Sequence, residues 1–98
     1  MPSMQRLSNY RTAWSTPSPD TGTVIYAATT IVQWDADTIT LRDGGWDTVT
    51  TRRKMNQASN QFRLGFGVFQ KDYKRFVTWN GRVIPFDGSS ITLNRNEG

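Results

Sequence analysis

The residues best suited to binding chemistry lie between positions 50 and 75, where basic and amide side chains recur. Arginine and lysine bind phosphate groups, while asparagine and glutamine carry paired donors and acceptors that match nucleobase edges. The segment 50–62 (TTRRKMNQASNQF) contains no Asp or Glu, although carboxylates usually accompany arginine on a solvated helix. We therefore predict a nucleic-acid-binding surface composed of Thr50, Thr51, Arg52, Arg53, Asn56, Gln57, Asn60, Arg63, Lys71, Lys74 and Arg75. An ordinary amphipathic helix with a solvated polar face explains the helical part of this set equally well.

The net charge of +4 is unevenly distributed along the chain. Residues 52–82 hold eight basic residues and one acid, a net charge of +7, while the rest of the chain carries a net charge of −3. This asymmetry indicates a basic working half and a scaffold half, and a polyanion is the natural partner of a basic surface. Chance clustering of charges in a short chain is the alternative.

The composition argues against an enzyme. The chain has neither His nor Cys, which removes the commonest general base, the commonest metal ligand and every disulfide or thiolate site. A hydrolase or nuclease would need a metal ion held by carboxylates. The candidate ligands all lie in turn-like contexts, and they are Asp35, Asp37, Asp43, Asp47 and Asp87. We expect no catalytic activity, no cofactor and no metal site.

One helix must position the polar residues. Met55, Ala58 and Phe62 fall on a narrow apolar stripe at helical spacing, which predicts a helix over 50–62. After a turn at 43–49, the helix would begin with a threonine N-cap at position 50 or 51. The positive end of the helix dipole, the threonine hydroxyls and the two arginines that follow would together form an anion site.

The strands on either side of the helix are related by an internal repeat. Segment 31–42 (IVQWDADTITLR) aligns without a gap on segment 83–94 (VIPFDGSSITLN), at a constant offset of 52 positions. The repeat and its alternating pattern predict two three-stranded meanders, with strands at 23–28, 31–35, 38–42, 75–79, 82–86 and 90–94. Asn80-Gly81 is the strongest hairpin signal in the chain. Independent convergence of two similar hairpins is the alternative to a duplication.

A further strand is predicted directly after the helix, at 63–70 (RLGFGVFQ). Its glycine and aromatic residues are typical of single-strand stacking platforms, with Phe66, Phe69 or Tyr73 available to stack on bases. Glycines also occur where a helix or a backbone packs closely on a strand, and we give this packing explanation more weight.

These elements predict a small α+β domain over 23–95, with two related antiparallel β-meanders flanking a single helix that packs on the sheet. It comprises a meander at 23–42, the turn at 43–49, the helix at 50–62 and a β-rich half at 64–95. Residues 1–22, rich in Ser, Thr and Pro, are predicted to form a flexible N-terminal arm. No apolar run is long enough to cross a bilayer and no secretory signal is recognisable, so we expect a soluble protein without a membrane partner.

The stretch GGWDTVTTRRKMNQ, followed by a β-rich half that ends in FDGSSITLNR, resembles a family of small uncharacterised proteins encoded by bacteriophages and related mobile elements. The resemblance covers residues 23–95. Its signature falls on Gly44, Gly45, Thr48, Thr50, Thr51, Arg53, Asn56 and Gln57. The resemblance implies a phage origin and a cytoplasmic setting in the host cell, but no particular activity.

Two functions follow from these observations. The first is a non-catalytic phage accessory protein that binds nucleic acid, single- or double-stranded, through the basic, Asn/Gln-rich helix. The alternative is a protein–protein inhibitor or modulator of a host enzyme or defence complex, since aromatic residues together with arginine are typical of interface hot spots. Open sheet edges would also allow a homodimer.

Overall fold

The computed structural model describes residues 11–43, 49–86 and 90–96. These ranges contain eight β-strands and one α-helix. In chain order the elements are β1 (Thr12–Ser18), β2 (Thr21–Tyr26), β3 (Thr29–Trp34), β4 (Thr38–Arg42), α1 (Val49–Phe62), β5 (Gly67–Lys71), β6 (Lys74–Trp79), β7 (Arg82–Pro85) and β8 (Ser90–Asn94).

The strands form two antiparallel sheets on which the helix packs. The first sheet has five strands in the order β1-β2-β3-β4-β8, and the second has three strands in the order β5-β6-β7. Helix α1 contacts β2 and β3 of the first sheet and β5 of the second. The predicted α+β class, with antiparallel sheets and a single helix packed on them, is confirmed for the described residues.

Two-residue turns join the three strands of the second sheet. Asp72 and Tyr73, between β5 and β6, both have positive φ, and so do Asn80 and Gly81, between β6 and β7. This backbone conformation defines type I′ turns, whose twist matches that of the flanking strands. The hairpin signal at Asn80-Gly81 is therefore confirmed.

The last strand differs from the prediction. We expected 90–94 to complete the second meander, but β8 pairs with β4 of the first sheet. The identical Ile-Thr-Leu triplets of the repeat thus pair with each other in antiparallel register, with Thr40 opposite Thr92 and their hydroxyl oxygens 3.3 Å apart. The same register places Ile39 opposite Leu93, and both of these side chains are buried. The second sheet takes its third strand from β5 instead.

The N-terminal arm predicted for residues 1–22 is corrected from residue 12 onward. Residues 12–18 form β1, which pairs with β2, and Trp14 packs against the core. Pro17 lies where the register shifts between Ser15 and Ser18, and an edge strand tolerates a missing N–H at such an irregularity. Residues 1–10 lie outside the described part of the chain.

The apolar stripe of the helix packs into the core as predicted. Met55 and Ala58 are buried, and Phe62 packs on Trp34 with the ring centroids 5.1 Å apart. The indole of Trp34 in turn lies over Gly22, where a Cβ atom would overlap the ring. Glycine at this position is therefore required by the close approach of an aromatic ring.

Helix α1 runs from Val49 to Phe62, within one residue of the predicted bounds. It ends in a Schellman-type cap, in which Arg63 adopts a left-handed conformation (φ 56°) and the Leu64 N–H donates to the Ser59 carbonyl at 2.9 Å. Within the described residues, no helix is both long enough and apolar enough to cross a membrane.

Candidate nucleic-acid interface

Two side chains of α1 form hydrogen bonds with the backbone at the β5 edge of the second sheet. The Asn56 Nδ2 donates to the Val68 carbonyl at 2.9 Å, and its Oδ1 accepts from the Val68 N–H at 2.8 Å. Three residues further along the helix, the Ser59 Oγ donates to the Phe66 carbonyl at 2.7 Å and accepts from the Phe66 N–H at 3.0 Å. Each side chain satisfies a backbone donor and a backbone acceptor, so the pair takes the place of a neighbouring strand.

This contact changes the interpretation of the polar helix face. Both polar atoms of the Asn56 side chain are engaged with the backbone, so we assign Asn56 to the contact between helix and sheet. Thr51 is buried and cannot present its hydroxyl to a ligand. Arg52 donates from Nη2 to Oε1 of Gln70 at 3.1 Å, which directs its guanidinium toward β5.

The start of the helix provides less than the sequence suggested. Because α1 begins at Val49, Thr50 and Thr51 belong to its first turn and neither is the N-cap. Residues 44–48, directly before the helix, lie outside the described residues. The first turn contains no acidic residue, so its positive dipole end has no carboxylate within the helix.

Several predicted residues do reach the surface of α1. Arg53, Asn60 and Arg63 are exposed, and Gln57 is half-buried. Asn60 and Arg63 line a shallow depression at the C-terminal end of the helix. Arg53 and Arg63 form no ion pair with any described residue.

Two of the basic residues counted in the positive half are withdrawn from the surface, since Lys54 is buried and Arg75 is half-buried. Arg75 of β6 forms an ion pair with the buried Asp43, which follows β4, and its guanidinium lies 4.8 Å from the ring centre of Phe86. The Lys54 ammonium lies 5.8 Å from the ring centre of Tyr26, and burial lowers the pKa of this lysine. Arg75 thus ties the two sheets together, and we leave it out of the candidate surface.

The outer face of the second sheet combines aromatic and basic side chains. Residues directly opposite each other in an antiparallel pair share one face, and the register pairs Phe69 with Phe76 and Lys71 with Lys74. The two phenylalanine rings stack, with centroids 5.3 Å apart and planes at 25°. Val68 and Val77, one residue away, point to the core. We call this surface the aromatic–basic face, and its members are Phe69, Lys71, Lys74, Phe76, Thr78, Val83 and Pro85.

The two lysines of this face are held close together by the hairpin. Lys71 and Lys74 flank the turn residues Asp72 and Tyr73, and both lysines are exposed. Neither lysine forms an ion pair within the described part of the chain. Like charges directly opposite each other on a sheet are unfavourable, and a bound anion would relieve their repulsion.

Sequence reasoning named Lys71, Lys74 and Phe69 but missed Phe76. The signal was present, because a two-residue turn at 72–73 fixes the register of the hairpin and places residue 69 opposite residue 76. The run of charged residues at 71–75 (KDYKR) masks the alternation of β6 in the sequence. Phe66, named as a stacking candidate, is buried and cannot serve that role.

The carboxylates considered as metal ligands have structural roles where the structure describes them. The Asp35 carboxylate accepts the backbone N–H groups of Thr38 and Asp37 at 2.8 Å each, and these hydrogen bonds, chiefly that from Thr38, lower its pKa. Asp43 is paired with Arg75. Among the described residues, no three His, Cys, Asp or Glu side chains cluster as a metal site would require. Asp47 and Asp87 lie outside those residues.

Comparison with known proteins identifies a family to which this chain is similar. The family model described as Kyanoviridae Gp96 protein matches residues 3–93, a span that includes β1 to β7, the helix and most of β8. This match confirms the expected relationship to a phage protein family, although it does not bear on the individual signature residues. No curated protein and no solved structure matches the chain.

Proposed function

Since the chain belongs to the Kyanoviridae Gp96 protein family, a phage protein family, and carries an aromatic–basic sheet face, we propose that it is a phage accessory protein that binds nucleic acid without catalysing a reaction. The proposed surface differs from the one first expected. It is centred on the outer face of the second sheet, and the exposed cations of the helix extend it.

The pairing of Lys71 with Lys74 beside the stacked phenylalanines carries this proposal. Two ammonium groups on adjacent strands provide a site for phosphate, and the neighbouring rings provide a surface for bases. Phe69 and Val83 are both exposed on this face, and a group of exposed apolar side chains beside charged residues is typical of an interaction site.

Exposed arginines on α1 and directly after it supply further phosphate contacts in the proposal. Arg53 lies in the first half of the helix and Arg63 at its end, and both are exposed. Because arginine and lysine contacts to phosphate release counterions, they would supply most of the affinity and little sequence preference.

Fluorescence anisotropy with labelled oligonucleotides at low and moderate salt tests the proposal. We expect the native chain to bind, and we expect Lys71→Gln with Lys74→Gln to weaken binding by about tenfold or more. The matched control, Arg11→Gln with Arg42→Gln, removes the same charge from exposed residues of the first sheet region and should leave the affinity within about threefold of native. No binding at low salt, or equal losses in both double variants, would contradict the proposal.

A protein partner is the second candidate function, and the tip of the hairpin favours it. Tyr73 is 96% exposed between two lysines, and exposed tyrosine is typical of interface hot spots. A pull-down from host lysate treated with nuclease distinguishes the two candidates. A stoichiometric complex that survives nuclease and is lost in Tyr73→Ala would favour a host protein as the partner.

A further inference from the structure

We infer that the aromatic–basic face takes the unpaired bases of a single-stranded nucleic acid, an inference that rests on the proposed function and specifies its ligand. Phe69 is 37% exposed on a sheet face, and its ring is stacked on that of its neighbour Phe76. In a duplex, the flat faces of the bases are covered by adjacent base pairs. A ring on an open sheet face can therefore stack only on a base that has left the duplex or was never paired.

The packing of the helix supports the same ligand class. A helix that reads duplex DNA must place one polar face in the major groove. On α1, Arg52, Asn56 and Ser59 follow one another along one side, and all three bind β5 or the residue before it. The Arg52 guanidinium and the Asn56 amide therefore face the second sheet, and major-groove reading by this side of α1 is blocked.

The dimensions of the face limit how many bases it can hold. Three strands at a spacing of about 4.8 Å give a width of about 10 Å, and residues two apart along a strand lie about 7 Å from each other. The Phe69–Phe76 pair occupies the middle row, Thr78 and Val83 lie on one side of it, and the lysine pair lies on the other. This area accommodates two or three bases, with the lysines placed for a phosphate at one end.

Charge complementarity favours a nucleic acid over a second copy of the chain on this face. Val83 is 59% exposed, so the face presents apolar area that a partner could cover. A second copy seated on it would bring two further lysines into the same interface, and like charges there oppose association. A single strand supplies phosphates for the lysines and aromatic bases for the rings.

The inference is tested by anisotropy with three labelled probes of equal length: a single-stranded DNA, the same strand with its central three bases replaced by abasic sugars, and the matching duplex. We expect the intact single strand to bind most tightly and both other probes to bind at least about fivefold more weakly. The native chain is compared with Phe69→Ala, with Phe69→Leu, which keeps apolar bulk, and with the control Ile25→Ala. Ile25 is also 37% exposed, but it lies on β2 of the first sheet.

The substitutions should separate stacking from general surface effects. Loss of one stacked base corresponds to a reduction of roughly 5- to 150-fold in affinity for the single strand. We expect the affinities of both Phe69 variants to be reduced by a factor in this range, and the affinity of Ile25→Ala to be reduced by less. Equal urea midpoints of the variants confirm that they fold. If all three probes bind equally and Phe69→Ala has no effect, the inference is overturned, although nucleic-acid binding itself stands. If no probe binds at low salt, the proposed function fails and the inference fails with it.

Discussion

At the level of single residues, Asn56 determines how the helix is attached to the second sheet. Replacing it by alanine leaves the N–H and the carbonyl of Val68 without the partners that they have in the structure. An unsatisfied, partly buried backbone pair costs about 1–3 kcal/mol, so we expect Asn56→Ala to lower the free energy of unfolding by that amount. Arg53→Ala, on the exposed side of the same helix, should change it by less than about 0.5 kcal/mol. Urea denaturation followed by tryptophan fluorescence measures both, and equal midpoints would show that Asn56 is dispensable for the fold.

Residue type alone could not separate Asn56 from Arg53. Both occur on the half of the helix that lacks apolar residues, and both belong to the polar set from which the binding surface was predicted. What distinguishes them is the position of β5, an edge strand whose backbone needs partners. The pattern of the sequence gives the direction of a side chain relative to the helix axis, but it does not reveal that a strand edge lies there.

At the level of elements, β8 is an edge strand of the first sheet that also contributes to the core. Leu93 is 2% exposed and lies opposite Ile39, whereas its neighbour Thr92 points to the exposed face. We expect Leu93→Ala to destabilise the fold by about 2–5 kcal/mol through the lost burial and the cavity left behind. Thr92→Ala, which changes the same strand on its other face, should cost less than about 1 kcal/mol.

Thermal or urea unfolding of the two variants tests this role of β8. A loss in Leu93→Ala no larger than that in Thr92→Ala would mean that β8 contributes little to the core. A comparison within one strand is informative because both substitutions leave the backbone ladder to β4 unchanged.

The elements themselves were largely predictable, since their periodicities and turn signals are local. The helix, the hairpins at 31–42 and 75–86 and the strand at 90–94 all appear close to the positions expected from the sequence. The partner of the last strand was not predictable in the same way. Ile-Thr-Leu pairs equally well with any exposed edge of matching register, and the choice of β4 over β7 depends on how the two sheets are placed around the core. Strand β1 was missed because an edge strand with a proline has a composition close to that of a loop.

At the level of the whole molecule, the charge asymmetry is smaller on the surface than in the sequence. Residues 52–82 carry a net charge of +7, but Lys54 is buried and Arg75 is paired with Asp43. The exposed cations assigned to the proposed interface are then Arg53, Arg63, Lys71 and Lys74. This set is enough for a short single strand and too small for the extensive phosphate contacts typical of duplex-binding proteins.

The number of phosphate contacts gives a prediction for the salt dependence of binding. Four contacts to a single strand correspond to a slope of about −3 in a plot of log affinity against log salt concentration. The double variant Lys71→Gln/Lys74→Gln loses two of these contacts, which should reduce the magnitude of the slope by about 1.4. The control double variant Arg11→Gln/Arg42→Gln should leave the slope unchanged. Anisotropy titrations between about 20 and 200 mM salt measure the three slopes. A native slope near zero would exclude an electrostatic interface, and a slope that persists in the lysine variant would place the phosphates on another surface of the molecule.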